Sequence, residues 1–136
     1  MNTINGSCLC GNIKYSASSE PLFMVNCHCQ SCKKTSGSMF SALVGIPEPS
    51  LSIEGDTISS YQSLGDSGQP IRLHFCTNCG TLLFSKAEAN PGVVFLRAGT
   101  IDRDFNFFPT ANVYWRDYQD WLPTDIPCFE TMPPEQ

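Results

Sequence analysis

The chain has 136 residues, 41% hydrophobic and 11% aromatic, which fits one globular domain with a core of its own and argues against disorder away from the ends. A formal net charge of −5, with an isoelectric point near 4.8, speaks against a nucleic-acid partner, because phosphate backbones are held by clustered Lys and Arg. The apolar runs are too short to predict a membrane span, and residues 1–6 have neither the basic region nor the apolar stretch of a signal peptide, so a cytoplasmic location is expected.

Ten glycines and ten prolines punctuate the chain and predict short elements. In chain order, strands are predicted at 12–17, 22–26, 39–45, 51–54, 58–62, 71–75, 81–85, 93–98 and 112–115, with one short helix at 30–36. Ile71, Leu73 and Phe75 share one face of their strand, while the continuous apolar run Val93, Val94, Phe95, Leu96 predicts a central strand. Residues 66–70 read as an exposed loop. The aromatic stretches 105–109 and 114–121 could wall a cleft, although aromatic residues more often fill a core. The expected organisation is one domain over 1–130 and a flexible C-terminal tail over 131–136.

Eight cysteines are the unusual feature, and in a reducing compartment they are metal ligands or nucleophiles rather than disulfides. Seven fall in three clusters: Cys8 and Cys10; Cys27, Cys29 and Cys32; Cys76 and Cys79. Cys76-Thr77-Asn78-Cys79-Gly80, placed between two apolar strands, has the form of a zinc knuckle, with the glycine supplying the positive φ of the turn. The alternative is a redox pair, which lacks its usual strand-to-helix context here. A structural zinc takes four ligands, and Cys8-Leu9-Cys10, read as an extended segment, can aim the second pair of sulfurs at the same ion while Leu9 turns away.

The middle cluster keeps three sulfurs, Cys27, Cys29 and Cys32. Three ligands leave the fourth position of a zinc ion open, which is the mark of a catalytic rather than a structural site. The other reading closes this site with His28 or a distant residue. Lys33 and Lys34 follow and could attract an acidic ligand, and Ser31, Thr35 or Ser38 could tune a bound thiolate. His74 reads as a surface or hydrogen-bonded histidine, and Cys128 as a buried inert thiol.

The order Gly6-Ser7-Cys8-Leu9-Cys10-Gly11, then Cys27-His28-Cys29-Gln30-Ser31-Cys32-Lys33-Lys34-Thr35-Ser36-Gly37, then Phe75-Cys76-Thr77-Asn78-Cys79-Gly80-Thr81 resembles the glutathione-dependent formaldehyde-activating enzyme family, including its centromere-protein-V-type members. The resemblance covers about residues 6 to 129. It implies a mainly β, tent-like fold of short antiparallel sheets with two zinc ions. Cys8, Cys10, Cys76 and Cys79 would hold a structural ion, and Cys27, Cys29 and Cys32 a catalytic and more labile one. The implied activity is that of a carbon–sulfur lyase joining or cleaving glutathione and formaldehyde. Where members of the family often carry a histidine, this chain has Asn112. The competing expectation is a non-catalytic protein-interaction module with two structural zinc sites; a redox-sensing zinc switch is a third.

Overall fold

The computed structural model describes residues 3–65 and 67–134. The elements run β1 (Ile4–Ser7), β2 (Lys14–Ala17), β3 (Phe23–Cys27), α1 (Gln30–Ser36), β4 (Ser41–Pro47), β5 (Leu51–Glu54), β6 (Ile58–Leu64), β7 (Pro70–Cys76), β8 (Leu82–Ala87), β9 (Val93–Arg97) and β10 (Ala111–Val113). They form two open sheets. The smaller has the order β1-β2-β5 and is antiparallel throughout. The larger has the order β10-β3-β4-β9-β8-β7-β6, with β10 parallel to β3 and the remaining pairs antiparallel. The mainly β, single-domain expectation matches this architecture. No helix among the described residues is long and apolar enough to cross a membrane.

Strand alternation divides the interior in two. Along β4, Val44 and Ile46 enter one cluster with Ile4, Ile13, Tyr15, Leu83, Phe84, Val94 and Leu96, which joins the two sheets. Leu43, on the opposite face, enters a second cluster with Val25, Ala111 and Val113. Each fully buried side chain of the size of Leu83 or Leu96 contributes about 1.5–3 kcal/mol. Cys8 and Cys76 belong to the first cluster, and Cys27 and Cys32 to the second.

Helix α1 occupies the predicted span for readable reasons. The Cys29 sulfur accepts the Cys32 N–H at its start, and Gly37, at φ 69°, closes its end by donating to the Lys33 carbonyl. Strand 51–54 also matches. The predicted strand 12–17 begins only at Lys14, because the chain before it turns round Cys8. Strand 112–115 stops at Val113, because Tyr114 takes a left-handed conformation (φ 56°, ψ 43°).

Strand β1 was not predicted. Its sequence, Ile-Asn-Gly-Ser, has little strand propensity, and pairing with β2 and a bridge from Gly6 to Ile101 hold it in place. A Cβ at Gly6 would stand 2.3 Å from the Tyr15 ring and 2.6 Å from the Thr100 carbonyl oxygen. Gly6→Ala is therefore expected to destabilise the protein by about 1–3 kcal/mol, the usual cost of overpacking, as read from urea unfolding.

Tyr15, 4% exposed, shares a 2.7 Å hydrogen bond with Thr100 Oγ1. Burial first, with the Asp102 charge adding to it, pushes its phenol up to about 12. The unfolded chain then loses this proton at lower pH than the folded one. The contribution to stability is intact below about pH 10, the unfolded value, and declines as pH rises toward 12. Tyr15→Phe is expected to be less stable at neutral pH by about 1 kcal/mol but to lose less stability than the parent between pH 10 and 12.

Candidate functional site

Two tight turns bring the first sulfur group together. After β1, Gly11 N–H donates to Cys8 C=O (3.1 Å) and Cys8 N–H to Ile13 C=O (3.0 Å). After β7, Gly80 N–H donates to Cys76 C=O (2.8 Å) and Cys76 N–H to Thr81 C=O (3.0 Å). Gly11 and Gly80 both have φ near +80°, the conformation that favours glycine. Cys8-Leu9-Cys10 is thus a turn, not the extended segment expected from the sequence. Leu9 does turn outward, at 88% exposure.

The sulfurs of Cys8, Cys10, Cys76 and Cys79 all lie within 4.8 Å of one another, with Cys8–Cys10 at 3.6 Å and Cys10–Cys76 at 3.8 Å. A tetrahedral ion with metal–sulfur bonds of about 2.3 Å sets its sulfurs about 3.8 Å apart, so this group could hold one. Ile13 N–H donates to the Cys8 sulfur at 3.3 Å, and the Thr57 and Thr81 hydroxyls lie 3.3 Å and 3.2 Å from the Cys76 and Cys79 sulfurs. The Thr57 hydroxyl draws the Cys76 thiol down, and the Thr81 hydroxyl and backbone draw Cys79 down to about 5, both toward the thiolate a metal requires. Burial pushes Cys8 the other way.

The second group is local. Cys27 ends β3, Cys29 caps α1 and Cys32 lies in the first turn of that helix, with their sulfurs also within 4.8 Å of one another. Hydrogen bonds from the Cys27 and Cys29 thiols hold Cys32 down to about 3, with the Arg97 guanidinium and the Ser41 hydroxyl also favouring its thiolate. Cys27 is pushed up, first by its contacts with Cys29 and Cys32. Sulfur-only donors of this kind suit zinc, and among the described residues no fourth His, Cys, Asp or Glu joins these three. His28 is turned away and buried. Its Nε2 lies 3.0 Å from Asn112 Oδ1, and its ring packs on Phe40 and edge-on to Trp115.

A cleft of about 660 Å³ opens onto Cys27, Cys29 and Cys32. Its walls are mainly apolar, with Phe23, Val25, Leu43, Phe95 and Val113 among them, and Ser31 and Thr35 stand on its lining. Lys33 is engaged by donating to the Asp117 carbonyl, and Lys34 is exposed. Arg97, which sequence reasoning passed over, lines the cleft at 9% exposure. The signal was present: period-two alternation in β9 puts Arg97 on the face of Phe95, opposite Val94 and Leu96.

Other singled-out residues fall elsewhere. Cys128 is exposed rather than buried; it sits on a lone bridge to Asn112, whose Nδ2 lies 3.5 Å from its sulfur, and belongs to neither group. His74 is half-buried and stacks on Phe84 with ring centres 4.6 Å apart. Of the aromatic stretches, Phe105 and Phe107 pack on the core that joins the sheets, Tyr114 lines the cleft, and Phe108 and Trp121 are exposed. Thr131 accepts from Tyr114 N–H, and Met132, Pro133 and Pro134 run along the cleft, while residues 135 and 136 lie outside the described residues.

These features define a small β protein with two cysteine clusters able to hold metal ions, one of them at the floor of a cleft. Residues 3–117 match the model of the glutathione-dependent formaldehyde-activating enzyme family, and the chain belongs to that family. It is similar to an uncharacterised lyase of Schizosaccharomyces pombe, 36% identical over 98 residues that make up 72% of this chain and 68% of the relative. It is also similar to a Halomonas elongata protein provisionally named a glutathione-dependent formaldehyde-activating enzyme, 28% identical over 147 aligned positions covering 97% and 90%. A Rhodobacter sphaeroides protein of known crystal structure shares the fold, with a TM-score of 0.59 at 19% identity over 75% of this chain and 90% of that one.

Proposed function

We propose that the protein is a carbon–sulfur lyase-type enzyme that joins or cleaves a thiol and an aldehyde at Cys27, Cys29 and Cys32, with glutathione and formaldehyde as the pair that the family name suggests. The observation that carries this reading is the three-sulfur group at the floor of a cleft, which no fourth His, Cys, Asp or Glu joins among the described residues. Zinc bound there would act as a Lewis acid and keep an incoming thiol as its thiolate.

The chain's own residues do the rest. Cys27, Cys29 and Cys32 hold the site in a pocket large enough for two small reactants, and the apolar walls keep water from competing. In the forward direction the thiol sulfur forms a bond to the aldehyde carbon. The carbonyl π pair moves to oxygen, and the thiol proton ends on that oxygen. Cys8, Cys10, Cys76 and Cys79 serve a second, structural zinc. Eight free cysteines favour a reducing compartment, hence the cytoplasm.

The test is NMR of zinc-loaded protein with glutathione and formaldehyde, alongside metal analysis. Adduct formation faster than the spontaneous reaction, dependent on a second equivalent of zinc, is the expected result. A rate equal to the spontaneous one removes this substrate pair. Full activity with one zinc removes the site, and a fourth protein ligand on the second ion favours a binding module.

A further inference from the structure

Resting on the cleft reading above, we infer that the cleft prefers a thiol with an apolar body and a single carboxylate over the tripeptide glutathione, and that Arg97 is the residue that selects it. Three observations lead there. The first is the lining. Apart from the cysteines, Arg97 is the one ionised side chain among the described residues that line the cleft, whose walls are otherwise mainly apolar. Glutathione carries two carboxylates and an ammonium. One cation can answer one carboxylate, and burying the other charges unpaired is costly. An apolar body gains from burial at about 25 cal/mol per Å².

The second observation is an unfilled hydrogen-bond valence. Arg97 Nη1 donates to Ser41 Oγ at 2.6 Å, yet Arg97 Nε is buried with no partner. Buried polar groups are nearly always paired, and a guanidinium presents its donors as a planar fork that suits a carboxylate. The third is position. Ser41 Oγ, which accepts from Arg97, donates to the Cys32 carbonyl at 3.1 Å. The guanidinium is therefore tied through one hydroxyl to the helix that bears the sulfur group. Arg97 and the three sulfurs line the same cleft, so one small molecule that carries both an acid and a thiol can meet both. Arg97 serving only as counter-charge to the sulfurs would not distinguish an acid from its amide.

Calorimetric titration of the zinc-loaded full chain tests this with 2-mercapto-3-phenylpropanoate, its carboxamide, glutathione and the sulfur-free 3-phenylpropanoate. The mercapto acid is expected to bind roughly tenfold or more tighter than either its amide or glutathione, the scale of a hydrogen bond to a charged group. Arg97→Gln is expected to bring the acid-to-amide ratio to about one. Equal binding of acid and amide to the parent protein, or tighter binding of glutathione, overturns the inference and needs no variant that might misfold. Binding of 3-phenylpropanoate that is lost in Arg97→Gln, with no accelerated adduct formation from any thiol, upholds the Arg97 site and sinks the proposed reaction. Accelerated glutathione adduct formation with no acid–amide difference does the reverse.

Discussion

Cys76→Ser is expected to leave the chain without a cooperative thermal transition, and so is complete removal of metal by a strong chelator. Cys76 is fully buried at the end of β7, in the cluster that joins the two sheets, and its sulfur belongs to the four-sulfur group. A structural zinc contributes on the order of 10 kcal/mol to folding, while a whole domain is stable by only about 5–15 kcal/mol. A loss of that size would remove most or all of the stability that a domain has. The measurement is circular dichroism on heating, paired with zinc content. A metal-free chain that melts cooperatively at the parent temperature would show that these sulfurs are not a folding element.

Cys29→Ser separates folding from chemistry. The Cys29 sulfur has two jobs: it accepts the Cys32 N–H as the cap of α1, and it stands in the three-sulfur group. Serine is itself a favoured cap, so the capping contribution should change by no more than about 1 kcal/mol, and any larger loss measures the stabilisation that a bound ion gives. A serine hydroxyl is, however, a poor substitute for a thiolate toward zinc. Zinc content is expected to fall from two equivalents to one. Adduct formation should drop by at least about 100-fold, a loss already reached when outer partners of a metal site are removed. Two retained equivalents with unchanged turnover would place the chemistry elsewhere.

Much of this was legible because cysteine spacing and turn glycines are local signals. Cys76-x-x-Cys79-Gly80 sets its own hairpin, and Cys29 and Gly37 bound α1 from within a stretch of nine residues. The pieces that escaped depend on distant partners. Strand β1 exists because β2 and Ile101 pair with it, not because its residues favour a strand. Cys128 looked buried among Ile126, Pro127 and Phe129, yet its bridge to β10 leaves it exposed. Arg97 lies within the predicted strand 93–98, where alternation gives its face but not its burial. Only the packing of β9 against β4, which sets Arg97 opposite Leu43 and leaves Ser41 to receive its Nη1, shows it to be inside.

The two sulfur groups differ most in how far apart in the chain their members stand. Cys10 and Cys76 are 66 residues apart, one in the turn between β1 and β2 of the smaller sheet and the other at the end of β7 of the larger, so their group is a clasp across the molecule. Cys27, Cys29 and Cys32 sit within one short stretch between β3 and α1, a buckle that fastens nothing remote. An ion held at the buckle would therefore exchange while the rest of the molecule stays assembled, whereas one held at the clasp would add a second tie to the core that joins the two sheets.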